Sequence, residues 1–173
     1  MKILIAYYSK TGHTKRVAID LVKKLKAIPA GRQADIDEIV DLKKRNGIWG
    51  FIKSGLDGMK GRLTEIKSQK KPNNYDLVLL GTPIWAGSIS PAIKTYIVKN
   101  KNSFKKFGFF MTSGGSNLEI IKTQINTILE GKKVLEFEGW DDVDLKDESK
   151  YQEKLERFLE RIKRVDTREF KST

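Results

Sequence analysis

The sequence predicts an α/β fold, a three-layer, doubly wound sheet of five parallel strands with helices on both faces. Three observations predict it. Short apolar runs alternate along the chain with amphipathic stretches at the spacing of βα units. The run Tyr75-Asp76-Leu77-Val78-Leu79-Leu80-Gly81 is apolar at nearly every position, as in a central strand buried on both faces. Loops rich in Gly, Ser and Thr follow the first, third and fourth runs, at the strand ends where such a sheet places its ligand.

The elements follow in order. Ile3 to Tyr8 reads as a buried strand, and Lys15 to Leu25 as a helix with Val17, Leu21, Leu25 and Ile28 on one stripe. Pro29-Ala30-Gly31 ends that helix. Ala34 to Leu42 alternates as a second strand, with Ile36, Ile39 and Val40 as its apolar members. Tyr75 to Gly81 is the third strand, and Pro91 opens a helix at a first-turn position where a missing N–H costs nothing. Phe107 to Met111 is the fourth strand and Leu118 to Leu129 its helix; Lys133 to Phe137 is the fifth strand and Ser149 to Val165 the closing helix. Residues 1–165 form the expected domain, and 166–173 read as a frayed tail.

Composition narrows the chemistry. At 173 residues, with 39% hydrophobic and 32% charged, the chain has the profile of a soluble globular protein. No uncharged apolar stretch is long enough to cross a membrane, and the N-terminus reads as a strand rather than a signal peptide, so the expected compartment is the cytoplasm. With no cysteine and one histidine, disulfides, Fe–S clusters, thiolate zinc sites and histidine metal clusters are excluded. Any redox chemistry therefore needs a bound cofactor. The 34 Lys and Arg against 22 Asp and Glu give a net charge of +12, a field that attracts anionic partners. No nucleic-acid module is visible, and no alternation of lysine with aromatics marks a base-stacking platform.

The first loop is Ser9-Lys10-Thr11-Gly12-His13-Thr14, between a buried strand and a helix. Such a turn gathers free backbone N–H groups and a positive dipole end, which is an anion site suited to phosphate. Ser9, Thr11 and Thr14 add hydroxyl donors, and Gly12 lets the backbone approach the ligand. A capped turn with no ligand would use the same residue types. A Walker A loop and a Gly-x-Gly-x-x-Gly fingerprint are both absent after this strand.

The second loop is Gly81-Thr82-Pro83-Ile84-Trp85-Ala86-Gly87-Ser88-Ile89-Ser90-Pro91, which its prolines and glycines make rigid and shaped. Trp85 offers a plate for stacking a flat heteroaromatic ligand, the alternative being a ring packed down on the sheet edge. The third loop, Thr112-Ser113-Gly114-Gly115-Ser116-Asn117, pairs adjacent glycines with hydroxyl and amide groups.

Taken together, these loops resemble those of flavodoxins. The first is similar to the family's phosphate loop, Ser/Thr-x-Thr-Gly-x-Thr, and the second to its Gly-Thr-Pro-x-Trp-x-Gly segment. The resemblance runs from Met1 to about Val165, in the short-chain form with no insertion splitting the fifth strand. It implies the strand order 2-1-3-4-5 and one noncovalently bound FMN. Ser9, Lys10, Thr11, Gly12, His13 and Thr14 would then bind its phosphate. Thr82, Pro83, Ile84, Trp85, Ala86 and Gly87 would cover one face of the isoalloxazine. Thr112, Ser113, Gly114, Gly115, Ser116 and Asn117 would lie at its pyrimidine side. In this family a carbonyl of the second loop meets flavin N5–H after reduction, and Ala86-Gly87 is the matching place. No separate catalytic residue and no metal are expected. Asp141, Asp142 and Asp144 lack the spacing of a calcium loop and read as solvated.

Two features depart from the family. The third loop lacks the tyrosine that often covers the outer flavin face, and the charge is basic where flavodoxins are generally acidic. Between the second and third strands, Gly47, Gly50, Gly55, Gly58 and Gly61 punctuate an apolar set including Trp49 and Phe51. This segment, 47–62, reads as a helix packed tightly on the sheet, as a homodimer interface or as a lid over the flavin. The expected function is electron transfer between redox partner proteins, the partners being acidic. The alternatives are an NAD(P)H-dependent flavin or quinone oxidoreductase on the same fold, and a non-catalytic interaction protein.

Overall fold

The computed structural model describes residues 1–28, 32–43, 63–115 and 117–167, with 166 and 167 by backbone only. Its sheet follows the order β2-β1-β5-β7-β8 with every one of these pairings parallel. The strands are β1 (Lys2–Tyr7), β2 (Gln33–Glu38), β5 (Leu77–Trp85), β7 (Phe107–Thr112) and β8 (Phe137–Trp140). Counted as the main strands, they lie in the expected order 2-1-3-4-5. Two short strands, β3 (Val40–Asp41) and β4 (Ile66–Lys67), pair antiparallel outside the main sheet. A third, β6 (Ser88–Ile89), folds back on the end of β5.

Alternation of side chains splits the core into two halves. Ile3, Ile5 and Tyr7 of β1 join Leu77, Leu79 and Phe110 on the face covered by α1 (His13–Lys26) and α5 (Glu148–Thr167). Leu4, Ala6, Val78, Leu80, Phe109 and Met111 face α2 (Pro91–Asn100) and α3 (Leu118–Ile128). Gly81 belongs to the first half by necessity, since a Cβ there would lie 2.2 Å from Cζ of Phe110. A fifth helix, α4 (Asp142–Lys146), sits between β8 and α5.

Several boundaries differ from expectation for identifiable reasons. The second strand stops at Glu38 rather than Leu42: Ile39 still donates to the Tyr7 carbonyl at 2.7 Å, but Val40 turns outward to pair with Lys67 and is half exposed. The third strand runs on through Thr82, Pro83, Ile84 and Trp85, which were expected in a loop. Pro83 fits because it faces the side where β1 has already ended, its last bond there joining Tyr8 N–H to the Gly81 carbonyl. The fifth strand is Phe137–Trp140 rather than Lys133 to Phe137, although Leu135 already donates to the Phe107 carbonyl.

The outward carbonyls of β8 are capped by cations of α5, Phe137 by Arg161 at 3.0 Å and Gly139 by Lys154 at 3.0 Å. An edge strand covered in this way offers no template to another chain. Of the aspartates expected to be solvated, only Asp142 is exposed. Asp141 and Asp144 form a reciprocal capping box on α4, and Asp144 is buried and ion-paired to Lys154. Helix α5 continues past Val165 to Thr167. The Pro29-Ala30-Gly31 stop and the segment 47–62, with its interface and lid readings, lie outside the described residues, as do 168–173.

Candidate functional site

The sheet order changes direction between β1 and β5, so the loops after β1, β5 and β7 leave neighbouring strand ends. Side chains tie them together. Thr14 and Thr112 share a buried hydroxyl–hydroxyl bond of 2.8 Å between the first and third loops. The Tyr8 and Trp85 rings meet edge to face at 5.7 Å and 86°, and Lys10 Nζ lies 5.8 Å from the centre of the Trp85 ring.

The first loop ends at the open N-terminus of α1. Gly12 holds the N-cap position at φ 94°, no side chain caps the helix, and its first turn contains no acidic residue. By contrast, Ser90, Asn117 and Asp141 cap α2, α3 and α4 with their side chains. The exposed N-terminus of α1 thus keeps its positive dipole end uncompensated. Ser9 Oγ accepts from Gly12 N–H at 3.2 Å, which leaves the hydroxyl proton available to an acceptor. Thr11 and His13 are exposed. Thr14 is only 1% exposed and its hydroxyl is engaged by Thr112, so its outward contribution is the backbone N–H of the first turn.

The second loop proves to be a two-residue hairpin. Trp85 pairs with Ser88 across a turn in which Ala86 (φ 47°) and Gly87 (φ 70°) both take left-handed conformations, the pattern of a type I′ turn. Trp85 is therefore the last residue of a strand rather than a loop residue. It is half-buried and belongs to neither half of the core. Thr82 is fully buried and works inward, donating to Ser90 Oγ or the Pro83 carbonyl and accepting from Ser90 N–H at 3.1 Å. Pro83 and Ile84 are buried with it.

In the third loop, Ser113 N–H is held by the Trp140 carbonyl at 3.0 Å and Gly115 N–H by Ser113 Oγ at 3.3 Å. Gly114 and Gly115 are exposed, and Asn117 Oδ1 caps α3 through Glu119 N–H. Ser116 lies outside the described residues. A cavity of about 200 Å³ opens beside this loop, lined by Ser113, Gly115, Leu118, Trp140 and Lys154 among others.

Each of the three loops carries a glycine at positive φ, Gly12, Gly87 and Gly115, and at each a Cβ would meet nothing within 4 Å. These glycines border open space, where backbone can approach a ligand without a side chain in the way. Sequence reasoning missed Tyr8, which it took only as a strand end. It also missed the Thr14–Thr112 bond, which no local pattern encodes.

The profile of a family described as flavodoxin matches residues 2–162. The chain belongs to the flavodoxin family. A crystal structure of a flavoprotein in complex with FMN from Lactobacillus acidophilus is 28% identical, with a TM-score of 0.69 over 84% of this chain and 96% of its own. The apo-form of the flavoprotein from the same organism, solved by NMR, gives 0.62 at 28% identity over 84% and 95%. Flavodoxin 1 from Bacillus cereus, 14% identical, shares the fold with a TM-score of 0.55 over 94% and 98% of the two chains. No curated protein matches the sequence. Among the described residues, no helix is long and apolar enough to cross a membrane. No group of three or more His, Asp or Glu among them lies close enough to hold a metal ion.

Proposed function

We propose that this flavodoxin-family protein binds FMN and carries electrons between protein partners. The observation that carries the reading is the uncapped, acid-free N-terminus of α1, set where three loops converge and each presents an unobstructed glycine. The residues present fit the cofactor. The first-turn N–H groups, the Ser9 and Thr11 hydroxyls and the Lys10 ammonium would hold the phosphate. Trp85 would cover one face of the ring, and the backbone of Ser113 to Gly115 would meet its polar edge. When bound, FMN supplies one- and two-electron chemistry, while the protein binds and orients it. The FMN complex of the L. acidophilus relative supports this reading.

The net charge of +12 favours an acidic partner protein. It equally suits a phosphorylated nicotinamide, and the third loop carries no aromatic side chain to close the outer face. That absence favours the second reading, an NAD(P)H-dependent flavin or quinone oxidoreductase.

The visible spectrum of the purified protein and the mass of the flavin released on heating test the proposal. FMN is the expected result; FAD, or a colourless protein that takes up no flavin, refutes it. Steady-state oxidation of NADPH with a quinone would transfer the assignment from carrier to enzyme.

A further inference from the structure

One side chain outside all three loops ties the second to the third. Gln124, in the second half of α3, donates from Nε2 to the Gly87 carbonyl at 2.7 Å. Gly87 is the second residue of the hairpin turn that follows Trp85. The base of the hairpin is held by buried Ile89 and by the bonds between Thr82 and Ser90, but its tip, Ala86 and Gly87, is exposed. Its tip also holds a non-glycine residue, Ala86, at φ 47°, a conformation that persists where surrounding contacts fix it. Beside the hairpin lies a cavity of about 310 Å³ lined by Ser88, Ile89, Lys94, Gln124 and Thr127 among others.

The helix that carries Gln124 is itself firmly placed. Ile121 and Ile125 are fully buried, and α3 starts directly after the third loop, capped by Asn117. A bond from Gln124 to Gly87 therefore relates the Trp85 side of the site to the 112–117 side.

We propose that Gln124 is a positioning residue, holding the hairpin tip and with it Trp85 at the spacing from the third loop that admits a flat ring. The role in ring binding rests on the FMN reading above. The brace on the hairpin does not.

The test uses Gln124→Met and Gln124→Glu, which keep the length of the side chain but remove the donor, and Gln124→Lys, which restores one. In the apo protein, amide exchange at Ser88, the ladder amide nearest the tip, is expected to quicken about fivefold in the Met and Glu variants, the loss of one hydrogen bond. FMN affinity should fall by about the same factor, with the Lys variant close to wild type. The ratio of FMN to riboflavin affinity should stay fixed, because the phosphate loop is untouched. Exchange and affinity within twofold of wild type in Gln124→Met overturn the proposal, as does a change in that ratio. If the wild-type protein takes up no flavin, the proposed function fails, and exchange at Ser88 alone decides the role of Gln124.

Discussion

Replacing Trp85 by alanine separates stacking from core packing. The side chain is half-buried and lies outside both halves of the core. Its ring meets that of Tyr8 at 5.7 Å and 86°. An aromatic pair of this kind contributes about 0.5–1.5 kcal/mol. The folded state should therefore lose about 1–2 kcal/mol, a fall in melting temperature of about 2–8 °C for a chain of this size. The effect on the ligand is larger. Covering one ring face removes on the order of 80 Å² of apolar surface from water, about 2 kcal/mol. Stacking geometry adds about 0.5–1.5 kcal/mol. The sum corresponds to roughly 70- to 400-fold in Kd, falling toward tenfold if Tyr8 swings in to cover the ring. Thermal melts of the apo protein, together with titrations following the quenching of FMN fluorescence, measure both quantities. Trp85→Phe should restore most of the affinity. Loss of the fold in Trp85→Ala, or an unchanged FMN affinity in a folded variant, would refute the reasoning.

The two threonines of the first loop should part company. Thr14→Ala strands the buried Thr112 hydroxyl and costs about 1–3 kcal/mol of stability, read as a lower melting temperature. Thr11→Ala, at an exposed position, should leave the melt within about 0.5 kcal/mol while weakening FMN binding by tenfold or more. Burial works against the charge of Asp144, yet bonds from Lys154 and from the Asp141 backbone dominate and hold its carboxyl below the usual range. A depressed folded pKa gives stability that is full above the unfolded value, near about 4, and lost as pH falls through the folded one. Asp144→Asn should accordingly flatten the acid limb of the stability curve, measured by melts across acidic pH. Association with an acidic redox protein should slow as ionic strength rises, and stopped-flow rates independent of salt would mean that the +12 charge is only a solvated surface.

The sheet was legible because its signals are local. Five apolar runs alternate with amphipathic stretches, and the pattern at Leu77 to Leu80 admits no reading but a buried strand. The strand ends were harder. Gly81-Thr82-Pro83 reads as a breaker, but β5 continues because Pro83 faces the side that β1 has vacated, a fact about a neighbour rather than about the segment. Gly87 suits the second position of a two-residue turn, but Ala86 is not among the residues favoured at the first, so the hairpin was only half signalled. Asp141-x-x-Asp144 likewise has the spacing of a capping box, although the aspartates read as a solvated loop once a calcium site was excluded. Thr14 with Thr112 and Gln124 with Gly87 join residues far apart in the chain, and their pairing becomes visible only once the strand order is known.

The central claim is that the first loop and the open end of α1 hold the phosphate of FMN. FMN and riboflavin have the same ring and differ in that phosphate, so comparing their dissociation constants on one preparation of apo protein isolates this contact. With several charge-assisted hydrogen bonds at about 1.5–3 kcal/mol each, FMN should bind at least about a hundredfold tighter than riboflavin. Equal affinity for the two would place the phosphate in solvent and contradict the account.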